Sequence, residues 1–165
     1  MKKFFLLLTM IAGSIYLQAQ TNKQTNFKTI SKSKEMESVR IVNEFLNAVI
    51  TGNHDRVNEL VDANIHWEQP GNNPFSGSKQ SLKEVYEMVG GMSAITNHSL
   101  KMTAVKTLAV NDNSVAALVH WKATKANGDV LDVDNIDVYT IEGGKIVKAV
   151  VYSADLEKEN QYWAN

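Results

Sequence analysis

Phe45–Gly77, FLNAVITGNHDRVNELVDANIHWEQPGNNPFSG, is the stretch on which the fold reading turns. Val42, Phe45, Leu46 and Val49 fall at i, i+3, i+4 and i+7, which predicts a helix with one buried stripe, and Gly52 ends it. Asn53 suits the N-cap of a short second helix carrying Val57, Leu60 and Val61. Ile65–Gln69 alternates and predicts a strand, stopped by Pro70 and Gly71. A second stretch, Asn135–Val147 (NIDVYTIEGGKIV), gives a strand, a Gly-Gly turn and a returning strand.

Between these segments Leu82, Val85, Tyr86 and Val89 repeat the helical spacing. Ser81 and Glu84 can form a capping box at the start of that helix, and Gly90-Gly91 is expected to end it. From Leu100 the period becomes two, giving strands at Leu100–Val110, Val115–Ala126, Val130–Ile141 and Lys145–Ser153. Helices first and an antiparallel meander afterwards predict an α+β domain, its helices against one face of a curved sheet.

The first nineteen residues read differently. Lys2 and Lys3 precede an apolar run, Phe4–Leu17, and Ala19 offers a small residue for cleavage, the pattern of a secretory signal peptide. The run falls short of the roughly 20 residues a membrane span needs, so no stable membrane insertion is expected after cleavage. Residues 20–37, rich in Thr, Asn, Ser, Gln and Lys, read as a flexible leader, and residues 38–165 as one domain. The expected location is the periplasm or the medium. With no cysteine, disulfides, thiolate metal sites and cysteine nucleophiles are excluded. A net charge of -1 and no basic stripe interleaved with aromatics argue against nucleic acid as a partner.

The chemistry depends on one hairpin. Asn127-Gly128 favours a two-residue turn, which places His120 opposite Asn135, Leu118 opposite Asp137 and Lys122 opposite Val133. His120, Lys122, Asn135 and Asp137 then share one face, and Val115, Ala117, Val119 and Trp121 share the other with Ile136 and Val138. Either the polar patch faces water or a second subunit, or it lines a cleft where a histidine and a carboxylate do acid-base work. A slip of one residue would scatter the patch over both faces. In the last hairpin, a three-residue loop Glu142–Gly144 turns Ala149, Val151 and Ser153 toward Asp137. A two-residue Gly-Gly loop turns Lys148, Val150 and Tyr152 there, and the first is favoured. His66 and Glu68 share a strand face but lack a third ligand for a metal, and Asp155 reads as a terminating or capping residue.

Phe45–Gly77 and Asn135–Val147 resemble the SnoaL-like and ketosteroid isomerase-like proteins of the nuclear transport factor 2-like superfamily. The resemblance spans roughly residues 39–155. It implies a cone-shaped roll, three N-terminal helices packed on a strongly curved, mainly antiparallel sheet, with a largely apolar pocket and often a homodimer. It puts Trp67, Gln69, His120 and Asp137 on the pocket side. Position by position, the isomerase's general base falls at Gln69 and its tyrosine donor at Phe45, and only its second aspartate is kept, as Asp137. An amide takes no proton at neutral pH, so steroid isomerisation by that route is not expected. The cyclases' acid on the last strand falls at Val151.

The expected function is therefore binding of a small, mostly apolar organic molecule, without cofactor or metal, in a pocket with Trp67, Gln69, Tyr86 and Asn135 as ligand-binding residues. His120 and Asp137 are the candidate catalytic pair of a lyase, isomerase or hydrolase. The alternative is a non-catalytic dimerisation module working through the outer sheet face, read as Val119, Trp121, Ile136 and Val138.

Overall fold

The computed structural model describes residues 29–164. Of these, residues 35–164 belong to one compact unit and residues 29–34 to a separate one. The expected signal peptide lies outside the described residues. Within the expected flexible leader, residues 29–37 are helical.

Helix α1 covers residues 29–51. It buries Ile41, Val42, Phe45, Leu46 and Ala48, the predicted stripe and its neighbours. Its end is fixed by a left-handed Gly52 (φ 67°), with Gly52 N bonded to Val49 O and Asn53 N to Ala48 O, so the last carbonyls keep partners. Asn53 then caps α2 (His54–Leu60), its side chain accepting from Arg56 N at 3.0 Å. Val61 opens a strand rather than extending that helix, since β1 spans Val61–Gln69.

After β1 come β2 (Gly77–Lys79), α3 (Leu82–Ile95), β3 (Lys101–Asn111), β4 (Ser114–Thr124), β5 (Val130–Glu142), β6 (Lys145–Ser153) and α4 (Leu156–Ala164). The sheet order is β2-β1-β6-β5-β4-β3, a curved, mixed, mostly antiparallel sheet in which β1 and β6 run parallel. β5 sets its polarity. Leu131, Val133, Asn135, Asp137, Tyr139 and Ile141 are all buried, and the residues between them are not. Each large apolar side chain in that row contributes roughly 1.5–3 kcal/mol by leaving water.

Two helices differ from expectation. Ser81 caps α3 as predicted (Glu84 N to Ser81 Oγ, 3.2 Å), but Gly90-Gly91 does not end it, and the helix runs on to Ile95. The reason at Gly91 is packing: a Cβ there would lie 2.7 Å from the Phe75 ring, so the glycine serves close approach. α4 is a fourth, C-terminal helix that was not predicted. Asp155, read as a capping residue, accepts from Lys158 N at 3.1 Å at its start.

The β4–β5 hairpin corrects the predicted register. Lys125 N donates to Asp129 O (2.9 Å), Gly128 N to Lys125 O (3.0 Å), and only Gly128 has positive φ (92°). The loop is thus three residues, Ala126–Gly128, a turn closed by a glycine bulge. His120 faces Asp134, Lys122 faces Asp132 and Ala117 faces Asp137. Burial explains the choice: this register puts Ala117, Val119 and Trp121 on one face with Leu131, Val133 and Tyr139. The predicted one would have put Asp132 and Asp134 on that face, opposite Ala123 and Trp121, with Ile136 and Val138 opposite Val119 and Ala117. Ile136 and Val138 accordingly point away from Val119 and Trp121.

The last hairpin reaches the favoured facing by another route. Its loop is the two-residue Gly143-Gly144, both left-handed, pairing Glu142 with Lys145. A register shift between Thr140 and Ile141 then pairs Asp137 with Val151 and Asn135 with Ser153.

Candidate functional site

The inner face of the sheet, α1, α3 and α4 enclose a cavity of about 530 Å³. Phe45, Trp67, Trp121 and Trp163 contribute aromatic wall, and Met88, Met92 and Met102 contribute deformable apolar wall. Trp67 and Gln69 alternate onto the cavity face of β1, where Trp67 Nε1 donates to Gln69 Oε1 (3.1 Å). That bond uses the Gln69 carbonyl, so its N–H groups are what the side chain can offer a ligand. Tyr86 lines the cavity from α3, with its hydroxyl already donating to Asn58 Oδ1 (3.0 Å) and its ring edge-on to His54. Burial, with Asp55 nearby, raises its pKa.

Asp137 is the chemical centre of this wall. It is 3% exposed, and Tyr139 Oη donates to its Oδ2 at 2.8 Å. Its Oδ1 is buried and has no partner among the described residues. Burial, opposed by the Tyr139 hydrogen bond and helped by the charge of Glu159, pushes its pKa up to about 7. Burial likewise drives the Tyr139 phenol well above its ordinary range. Asp137 therefore exchanges a proton near neutral pH, which suits a group that both takes and returns one.

The remaining polar groups come from β5 and α4. With its amide nitrogen turned toward acceptors, Asn135 donates to Asp134 O (2.8 Å) and to Glu159 Oε1 (2.9 Å). Trp163 Nε1 donates to Glu159 Oε2 at 3.4 Å. Glu159 is 4% exposed and lines the cavity.

Of the six residues singled out in the sequence, Trp67, Gln69, Tyr86, Asn135 and Asp137 line this cavity, and His120 does not. His120 sits on the opposite face of the sheet, its Nδ1 2.6 Å from Asp134 Oδ1 and its Nε2 3.0 Å from Asp132 Oδ1. Lys122 joins them, 2.8 Å from Asp132, and its hydrogen bond holds the Asp132 carboxyl below its ordinary pKa. The expected His120–Asp137 pair is thus not formed, because the register slip sends the two side chains to opposite faces. His66 and Glu68 pair with each other at 2.6 Å on the outer side of β1. Among the described residues no group of three or more His, Asp or Glu is placed to hold a metal.

Tyr139, Glu159 and Trp163 were missed. Tyr139 was within reach, since alternation puts residue i+2 of Asp137 on the same face. Glu159 and Trp163 belong to the unpredicted helix and left no such signal.

The family model for the SnoaL-like domain matches residues 42–149. A solved protein of unknown function with a cystatin-like fold from Xanthomonas campestris superposes with a TM-score of 0.72 at 27% identity, covering 78% of this chain and 98% of that one. A protein named as a SnoaL-like polyketide cyclase from Jannaschia sp. CCS1 gives 0.64 at 12% identity, covering 80% and 95%, which speaks to fold alone. An uncharacterized Mycobacterium bovis protein is 26% identical over 95 residues, 58% of this chain and 72% of its own length. With a matching cavity-bearing fold and a family match across most of the domain, the chain belongs to the SnoaL-like family of the nuclear transport factor 2-like superfamily.

Proposed function

We propose that the cavity binds a small, mostly apolar organic molecule and that Asp137 moves a proton on it without a cofactor, as in an isomerase, cyclase or lyase. The observation that carries this reading is a single one: a carboxyl with an unpartnered oxygen on the wall of an apolar cavity of about 530 Å³. Asp137 lines the cavity, and that is the side from which a bound group would reach its carboxyl. As a carboxylate Asp137 takes a proton from carbon next to a carbonyl, and the electron pair moves to the carbonyl oxygen. Returning the proton at another carbon isomerises the molecule, and attack of the enolate carbon on a second carbonyl cyclises it. The Gln69 amide, on the same wall, is a donor available to the developing oxyanion.

The test uses 2-tetralone, an enolisable bicyclic ketone, in deuterated buffer with NMR detection. The protein is expected to speed deuterium uptake next to the carbonyl, and Asp137→Asn to lose most of that acceleration. Equal exchange rates with the protein and its variant would remove Asp137 from the chemistry.

A second reading rests on the outer sheet face. Leu118, Ile136 and Tyr152 are cross-strand partners in one row, with Ile136 40% and Tyr152 57% exposed. Val138 and Val150 pair in the next row. This face, rather than Val119 and Trp121, is the surface that would join two copies in a homodimer.

A further inference from the structure

The polar groups of the cavity are sorted by sign. His54 and Lys101, the lining residues that carry or can take positive charge, are exposed. Asp137 and Glu159 are buried, 3% and 4% exposed. The donors bonded to them are uncharged and come from β5 and α4. Tyr139 Oη serves Asp137 Oδ2, Asn135 serves Asp134 O and Glu159 Oε1, and Trp163 Nε1 serves Glu159 Oε2. Both oxygens of Glu159 thus act as acceptors, held by uncharged donors from the same wall. Asp137 Oδ1 is, among the described residues, the buried side-chain polar atom of this wall left without a partner. Among the described residues that line the cavity, the buried ones supply two carboxyls and no cationic side chain.

We infer that Glu159, reaching the cavity from the C-terminal helix, makes the site selective by charge. It admits uncharged molecules carrying a hydroxyl, amide or carbonyl group and turns carboxylates away. A ligand carboxylate placed beside Asp137 would bring another negative charge into a low-dielectric region without a cation to meet it. A neutral hydroxyl or amide can instead donate to Oδ1, and a carbonyl can accept from Asp137 when it is protonated. The charge of Glu159 also contributes to the raised proton affinity of Asp137, the same effect exerted on a resident group. The inference rests on the reading that the cavity binds small apolar molecules, and Glu159 is its specificity-determining residue.

Three bicyclic probes of one ring system separate charge from shape: 2-naphthol, 2-naphthamide and 2-naphthoate, titrated calorimetrically into the full chain slightly above neutral pH. The naphthamide and naphthoate differ almost solely in charge. The naphthol and the naphthamide are expected to bind, and the naphthoate to bind at least about tenfold more weakly than the naphthamide. Glu159→Gln, which keeps the shape and can still accept from Asn135, should narrow that ratio at least about threefold. Circular dichroism checks the variant's fold, and Glu159→Met replaces it if the glutamine fails to fold. Naphthoate binding as tightly as naphthamide, or a ratio unmoved by loss of the Glu159 charge, overturns the charge selection while leaving the cavity's binding role intact. Binding by none of the three overturns both.

Discussion

Asp137 shows how position in a fold changes what a residue can do. On an open strand its carboxyl would ionise near 3.8; here burial lifts it to about 7. Between those values the unfolded chain has released this proton and the folded chain still holds it. Its contribution to stability is therefore fully present below the unfolded value and is lost as the pH rises through about 7, a change of roughly 4 kcal/mol at the outside. Asp137→Asn keeps an acceptor for Tyr139 and has no charge to bury. Urea unfolding of both proteins from roughly pH 4 to pH 8 should show the variant gaining on the natural protein as the pH rises. A difference between them that does not change with pH would mean Asp137 ionises as freely folded as unfolded. Asp137 was legible through the resemblance, which put it on the pocket side where alternation alone left its face open between water and a cleft. His120 was misread for a definite reason: its face depended on a loop one residue longer than the Asn-Gly signal suggested.

At the scale of the element, adjacent glycines in α3 separate local propensity from packing. A Cβ on Gly90 would meet nothing within 4 Å, whereas one on Gly91 would stand 2.7 Å from the Phe75 ring, itself edge-on to Trp163 at 5.7 Å. Gly90→Ala should stabilise the protein by about 0.5–1 kcal/mol through helix propensity alone. Gly91→Ala should lose that gain, since the Phe75 ring must move, at a cost typically of about 1–3 kcal/mol. Thermal or urea unfolding of the two variants checks the signs, and near-ultraviolet circular dichroism should change for Gly91→Ala only. Equal stabilisation by both would show that the Phe75 contact does not constrain the helix. A glycine pair reads locally as a helix stop. Nothing local records that an aromatic ring from residue 75 would lie against one of the pair.

Across the compact unit of residues 35–164, the two sheet faces differ: inward a cavity walled in part by the buried Asp137 and Glu159, outward the row Leu118–Ile136–Tyr152. If that row joins two copies, Ile136→Lys should convert a dimer to a monomer in light scattering coupled to size exclusion. Binding of 2-naphthol inside should stay unchanged, because Ile136 does not line the cavity. A natural protein that already runs as a monomer would remove the dimer reading.

The sequence by itself determined what depends on neighbours along the chain. The strands of the meander, the caps at Asn53, Ser81 and Asp155 and the buried stripe of α1 all follow from periods and end signals a few residues long. Tertiary structure decided what depends on competition between distant surfaces. The three-residue loop won because its register packs Val119 and the half-buried Trp121 with the buried Val133 and Tyr139, and it sent His120 outward in the same step. The last helix has few apolar positions of its own. It joins the fold by burying Tyr162 and Trp163, and so brings Glu159 to a site whose other residues lie far back in the chain. Hydrophobic burial acts between whole faces, and a local motif can propose a register that only the summed burial accepts or refuses.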